Sequence, residues 1–288
     1  MSFICNDYNH ITVIPSILEE LHISNEKELH FNKDNIIKIA FKSKELLKDS
    51  WIKLPFCNTL EGEILGANVS LTMNGAKIKE PCFNNINQIP NNINMYSERL
   101  YVILQVLNSL KSENIIYNLE GPFTILNCLL DTTTIFKSIR KQEEDFLYIL
   151  NSLEEFIINY GTLIYNHGVK ILSFGDPLGT KDIIGPKLFN SIYVNSFKRI
   201  IRGIIHNCPE VTIHICGKLS QNLVDSNVLK VLDYDFSRNI NYGEALLSYT
   251  KLNHKEPIIG LMCVNRTSLP YNKVHRLKVI HLLLNIVT

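Results

Sequence analysis

The alternation of short apolar runs with longer helix-like segments is the feature that most constrains this fold. The runs are rich in Val, Ile and Leu and stop shortly before a Gly or Pro, as at residues 115–119 and 169–174. Strands that are apolar along their whole length are typical of parallel sheets covered on both faces. Repeated strand–helix units with short connections therefore predict an α/β protein with a parallel sheet.

Seven segments are predicted as strands and six as helices. The predicted strands are residues 11–14, 51–56, 115–119, 169–174, 211–216, 228–232 and 257–262. The predicted helices are residues 35–47, 60–65, 99–110, 146–165, 187–205 and 272–286. A barrel of eight such units fits 288 residues only with short loops. An open doubly wound sheet is the alternative. No shift in composition indicates a linker, so we expect a single domain over residues 1–288.

Polar residues follow the predicted strands at their carboxyl ends. They are Glu120, Asp176, His214, Cys216, Asp233 and Cys263. Barrels and doubly wound sheets both build their sites at this end. The chain has neither a G-x-G-x-x-G phrase after its first predicted strand nor a P-loop phrase, so a nucleotide-binding function has no support.

The phrase His214-Ile215-Cys216 is the sharpest candidate for a metal site. Residues two apart on a strand project to the same side. Imidazole and thiolate are the ligands that zinc prefers, and three protein ligands leave one position open for chemistry. Cys263, at the end of another predicted strand, is the candidate third ligand. The alternative is a buried core histidine beside a packed cysteine.

Two carboxylates are candidates for the pocket. Glu61 opens a short predicted helix, where it either orients a substrate or complements the helix dipole. Asp176 stands before Pro177 at a strand end, where it is either a turn residue or a buried functional carboxylate. Both enter the predicted site as catalytic candidates.

Charge and composition narrow the partners and the compartment. The chain has 29 Lys and Arg against 28 Asp and Glu, a balance that argues against nucleic-acid binding. Its apolar runs fall short of the roughly 18 residues that a membrane helix needs. The first nine residues lack the basic and apolar regions of a leader, and the cysteine count of seven is odd. We therefore expect a cytoplasmic protein with reduced thiols.

Four phrases read together resemble a known family. In chain order they are residues 54–66 (LPFCNTLEGEILG), 120–124 (EGPFT), 175–179 (GDPLG) with 184–186 (IGP), and 213–217 (IHICG). The chain resembles the uroporphyrinogen decarboxylase superfamily, and within it the branch of methylcobamide:coenzyme M methyltransferases and related corrinoid-dependent methyltransferases. The resemblance covers residues 10–235.

The resemblance implies a TIM (β/α)8-type barrel and a specific chemistry. It implies Zn²⁺ on His214, Cys216 and Cys263, with Asp176 and Glu61 as pocket carboxylates. It further implies that a small-molecule thiol takes a methyl group from a methylcorrinoid carried by a partner protein. Cys263 arrives early for this family, as if one βα unit were missing, so the barrel is expected to be shortened in its C-terminal third.

Two alternatives from the same superfamily stay open. One is a decarboxylase acting on a tetrapyrrole, which the missing Gln-Ala-Gly-Arg phrase in residues 1–50 disfavours. The other is a non-catalytic barrel that binds a corrinoid or a tetrapyrrole, which the shortened C-terminal third favours.

Overall fold

A seven-stranded sheet is the centre of the molecule. The computed structural model describes residues 15–91, 93–141, 143–251, 257–268 and 273–282. The strands are β1 Ile52–Leu54, β2 Asn68–Thr72, β3 Gly75–Glu80, β4 Ile115–Glu120, β5 Ile171–Gly175, β6 Thr212–Cys216, β7 Leu229–Asn241, β8 Ile258–Met262 and β9 Lys273–Leu282. Their order in the sheet is β1-β4-β5-β6-β8-β9-β7, while β2 and β3 form a separate hairpin.

The first five strands in that order run parallel, as the sequence predicts. The side of the sheet formed by the last strands of the chain differs, because β9 runs antiparallel to both β8 and β7. An antiparallel strand thus lies between two strands that point the same way, where a regular barrel would continue with parallel strands.

The helices precede or follow the parallel strands. They are α1 Pro15–Glu20, α2 Glu26–His30, α3 Lys33–Leu46, α4 Leu60–Ile64, α5 Glu98–Ser109, α6 Pro122–Leu129, α7 Thr132–Lys141, α8 Glu143–Asn166, α9 Lys181–Ile184, α10 Pro186–Leu188, α11 Val194–Asn207, α12 Gly217–Val224 and α13 Tyr242–Thr250. Within the described part of the chain, none of them combines the length and apolar character needed to cross a membrane.

The two faces of the sheet are covered differently. Tyr117 and Leu172 belong to the face that packs in the large core with α3, α5, α8 and α11. Ile116 and Ile171, one residue earlier on the same strands, belong to the opposite face and a second core. Because strand side chains alternate between faces, each strand contributes to both cores.

Helix α13 covers that opposite face. Tyr242, Leu246 and Tyr249 are buried there against strand residues such as Ile259. The indole N–H of Trp51 donates to the carbonyl oxygen of Gly243 at 2.9 Å. In a complete barrel the strands opposite would fill this space. Here a helix fills it, in keeping with a barrel shortened in its C-terminal third.

Several sequence predictions need correction. The predicted helix over 272–286 is wrong where the structure describes it, because β9 occupies 273–282. Leu277 and Val279 pack in the second core while Ile280 and Leu282 pack in the large one, so the run is buried on both faces of the sheet. The predicted strand 11–14 lies outside the described residues. The β2–β3 hairpin and the helices α6, α7, α12 and α13 were not predicted.

Candidate functional site at the carboxyl edge of the sheet

Four of the predicted site residues lie where neighbouring parallel strands end. Glu120 is the last residue of β4 and pairs in register with Gly175 of β5, directly before Asp176. Cys216 is the last residue of β6 and pairs with Met262 of β8, directly before Cys263. The fold therefore brings the candidate carboxylates and the candidate zinc ligands to one edge of the sheet.

Asp176 is buried and fully engaged by hydrogen bonds. Its carboxylate accepts from the backbone N–H groups of Phe123 at 3.1 Å, Thr124 at 2.8 Å and Gly179 at 3.2 Å, and from the Thr124 hydroxyl at 2.7 Å. Burial raises the pKa of Asp176 to about 6, although these donors favour the ionised form. Asp176 thus ties the turn after β5 to the start of α6.

His214 lies deep beneath the edge and is fully buried. Its Nδ1 atom lies 3.3 Å from the Ser173 hydroxyl, and its ring meets Tyr242 of α13 edge-on at 6.4 Å. Its Nε2 atom has no hydrogen-bond partner among the described residues. Burial lowers the pKa of His214 to about 4, so the ring is neutral and can act as a metal ligand.

Cys216 and Cys263 both lie at the edge and are partly buried. The pairing of β6 with β8 shifts between His214 and Cys216, and Leu261 of β8 has a φ of 60°. A bulge of this kind redirects the following side chains and is common beside active sites. In the part of the chain that the structure describes, no three His, Cys, Asp or Glu side chains are grouped as a metal site.

Glu61 is buried beside the end of β4. Its Oε1 atom accepts the backbone N–H of Glu120 at 3.1 Å, and its Oε2 atom has no hydrogen-bond partner within the described residues. Burial raises the pKa of Glu61 to about 7. The pKa of Glu120 is raised well above its usual value by burial and then by the charges of Glu61 and Asp176.

A buried thiol–guanidinium contact was not predicted from the sequence. The guanidinium of Arg99, on α5, donates to the Sγ atom of Cys57 at 2.8 Å and also forms an ion pair with Glu63. Cys57 directly follows the predicted strand 51–56, but Arg99 lies 42 residues away along the chain. Only the tertiary fold brings these groups together.

Tyr193 is a second residue that sequence reasoning missed. It ends a short π-helix, Phe189–Tyr193, is fully buried, and has its hydroxyl near Asp176. A side chain at Gly179 would bring Cβ to 2.2 Å from the Tyr193 ring, so the close approach depends on glycine. π-Helical turns often occur at functional sites, although no sequence pattern marks this one.

Asp233 does not lie at a strand end. Strand β7 continues to Asn241, so Asp233 and Asp235 are mid-strand residues on the sheet surface. They form ion pairs with Arg276 and Lys278 of the neighbouring β9. They are therefore cross-strand partners within a longer strand, and the predicted strand end at Asp233 is wrong.

Comparison with known families decides the relationship of this chain. The sequence pattern of the family described as uroporphyrinogen decarboxylase (URO-D) matches residues 12–260. The chain belongs to the uroporphyrinogen decarboxylase family. This family member is 24% identical over 212 residues to the methylcobamide:CoM methyltransferase MtaA of Methanosarcina barkeri, a match that spans 69% of this chain and 60% of the relative. It is 21% identical over 206 residues to the methylcobamide:CoM methyltransferase MtbA of Methanosarcina mazei, spanning 68% and 60%.

A solved structure confirms the fold. A methyltransferase from Methanosarcina mazei superimposes with a TM-score of 0.62 at 18% identity, covering 75% of this family member and 66% of that chain. The similarity confirms the predicted α/β fold of the TIM-barrel type. The matched region spans about 60% of the length of the curated relatives.

Proposed function

We propose that this chain transfers a methyl group from a methylated corrinoid, carried by a partner protein, to the sulfur of a small-molecule thiol. Two relatives are methylcobamide:CoM methyltransferases, which supports a methyltransferase of the corrinoid-dependent type. The observation that carries the proposal is His214, whose buried Nε2 lacks a hydrogen bond among the described residues, two positions before Cys216.

The donor set supports zinc as the metal. Neutral imidazole and thiolates are the ligands of zinc sites, and a buried ring nitrogen without a hydrogen bond is suited to a metal ion. We propose His214, Cys216 and Cys263 as the ligands. The described residues do not group these three side chains, so the proposal requires all three to come together when the metal binds. Zinc, when bound, would hold the thiol substrate as a thiolate.

The chemistry at the edge is a methyl transfer to sulfur. The thiolate sulfur attacks the methyl carbon, the C–S bond forms as the Co–C bond breaks, and the electron pair stays on cobalt as Co(I). The proton of the thiol leaves separately. Asp176 holds the turn after β5 against α6, and Glu61 places a buried carboxyl beside the end of β4. We propose both as pocket carboxylates of this reaction. We also propose that the protein is cytoplasmic.

A non-catalytic corrinoid- or tetrapyrrole-binding protein is the second candidate. The observation in its favour is α13, which fills the face of the sheet that a complete barrel would close with strands. Decarboxylation of a tetrapyrrole is less well supported. Such substrates need cations for their carboxylates, and Arg99 is already paired with Glu63 and Cys57.

Metal content tests the zinc site. We expect the purified protein to hold about one zinc ion per chain, as a three-ligand site would. The variants His214→Ala, Cys216→Ala and Cys263→Ala should each lose the metal, measured by mass spectrometry of the dialysed protein. His206→Ala and Cys82→Ala are the matched controls, because His206 is exposed on α11 and Cys82 lies outside the carboxyl edge.

Methyl transfer separates the two candidate functions. The assay mixes the protein and free methylcobalamin with coenzyme M or, separately, with homocysteine. The absorbance change that accompanies loss of the methyl group from cobalt measures the reaction. A zinc-loaded protein that demethylates the corrinoid only in the presence of a thiol would support the methyltransferase. A folded wild type that holds no zinc would contradict the metal site. A protein that binds the corrinoid without methyl transfer would favour the binding function.

A further inference from the structure

Glu61 and Glu120 form a pair of carboxyl groups at the edge of the sheet. Glu61 lies in α4 and Glu120 ends β4, and the backbone N–H of Glu120 donates to Oε1 of Glu61 at 3.1 Å. Glu61 is 1% exposed, and its Oε2 atom has no hydrogen-bond partner in the described residues. A buried carboxylate oxygen without a donor is costly, whereas a protonated one carries its own hydrogen to share.

The surroundings offer little positive charge to hold two carboxylates ionised. The charge of Arg99 acts on Glu61, and those of Asp176 and Cys57 act on Glu120. The neighbouring groups that feel the charge of the pair are Tyr117, Cys128 and Tyr160. Arg99 is the cation among all of these groups, and it is already bound to Glu63 and Cys57. Like charges buried together favour retention of a proton by one of them. Burial is the main cause of the raised pKa values of Glu61 and Glu120, and for Glu120 the charges of Glu61 and Asp176 raise the pKa further.

Methylation of a thiol releases a proton that must leave the site. We propose that Glu61 and Glu120 share one proton and that the pair accepts the proton which the thiol loses, an inference that rests on the proposed function. The thiol first gives its proton through bridging water to a Glu61 oxygen, and the thiolate sulfur then forms the bond to the methyl carbon. The pair then carries two protons until one returns to solvent through the partly exposed Glu120.

The distance along the edge calls for water to carry such a proton. Glu120 pairs in register with Gly175, and a Cβ atom on Gly175 would lie 3.8 Å from Cβ of Cys216. Neighbouring strands lie about 4.8 Å apart, so the ends of β4 and β6 are roughly 10 Å from each other. A thiol bound near Cys216 would lie about that far from the end of β4, so its proton would reach the pair through bridging water.

Infrared spectroscopy of the free protein tests the shared proton without any substrate. We expect the absorption of a protonated carboxyl group at neutral pH, fading as the pH rises through about 7 and beyond. In Glu61→Gln the remaining carboxyl of Glu120 loses a negative neighbour, so its absorption should fade at lower pH. Glu113→Gln, at the opposite end of β4, is the control and should leave the absorption unchanged.

The pH profile of methyl transfer tests the role of the pair. With methylcobalamin and coenzyme M, Glu61→Gln should lower the rate near neutral pH by about 100-fold, as expected for loss of a proton acceptor. The difference should shrink as the pH approaches the pKa of the thiol, where no acceptor is needed. Glu61→Asp should restore part of the rate. A purely structural role predicts a pH-independent loss instead.

The possible outcomes distinguish a failure of the shared-proton proposal from a failure of the proposed methyl transfer. An active wild type without the carboxyl absorption would overturn the shared proton alone. An active Glu61→Gln with an unchanged pH profile would overturn the role of proton acceptor. A zinc-loaded wild type that transfers no methyl group would overturn the proposed function and, with it, that role, while the infrared titration would still measure the pair.

Discussion

At the scale of single residues, burial rather than residue type sets the chemistry of this edge. Chain order alone placed Glu61 and Asp176 near strand ends, because carboxyl ends of parallel strands share an edge. It did not reveal that Asp176 is saturated by four hydrogen bonds whereas one oxygen of Glu61 is left without a donor among the described residues. Three of the four bonds come from Phe123 and Thr124, more than fifty residues away, and only the fold brings these donors to Asp176.

Glu61 should make stability depend on pH. Its pKa is 4.5 as an ordinary carboxyl and about 7 when folded, so the folded state binds a proton more tightly. The contribution of this carboxyl group to the free energy of unfolding is fully present below about pH 4.5. It is lost as the pH rises to about 7, and the loss is on the order of 3 kcal/mol. Relative to wild type, Glu61→Gln should gain stability across this range in urea unfolding at several pH values. Glu113→Gln should not gain stability over this range. If the free energy of unfolding changed with pH equally in wild type and Glu61→Gln, the raised pKa of Glu61 would be contradicted.

At the scale of elements, local pattern predicted the parallel strands well and the C-terminal elements poorly. Strands β4 to β6 are short apolar runs whose faces are both covered, and pattern finds them. Strand β9 was taken for a helix because an apolar run buried on both sides carries no clear period, and its partner β7 is non-local. The start of α13 did leave a signal, since Asn241 and Glu244 form a capping box.

Helix α13 should contribute strongly to stability, because it fills the face of the sheet. Leu246 is fully buried in the second core, whereas Leu247 beside it is only partly buried. We expect Leu246→Ala to lower the free energy of unfolding by about 2–5 kcal/mol, as for large cavities, and Leu247→Ala by clearly less. Urea unfolding followed by circular dichroism measures both. Similar losses for the two variants would show that α13 does not pack as described.

At the scale of the whole molecule, contacts between the two ends of the chain hold the fold together. Trp51 donates to Gly243, 192 residues away, and the Thr267 hydroxyl donates to Asp49 at 2.8 Å, 218 residues away. Neither contact is visible in the sequence, which predicted a single domain only from the absence of a linker. That prediction stays a prediction, and these contacts join the segment before β1 to α13 and to the turn after β8.

The single tryptophan can show whether the chain unfolds as one cooperative unit. Trp51 is the only tryptophan in the chain, and its indole lies between β1 and α13. If residues 1–288 form one domain, its fluorescence and the far-ultraviolet circular dichroism should change at the same urea concentration. Thr267→Val removes the hydrogen bond to Asp49 and should lower the free energy of unfolding by about 1–2 kcal/mol. Both transitions should then move together to a lower urea concentration. A fluorescence transition that precedes the loss of secondary structure would instead show that α13 detaches before the parallel strands unfold. The protein would then consist of two separately cooperative parts.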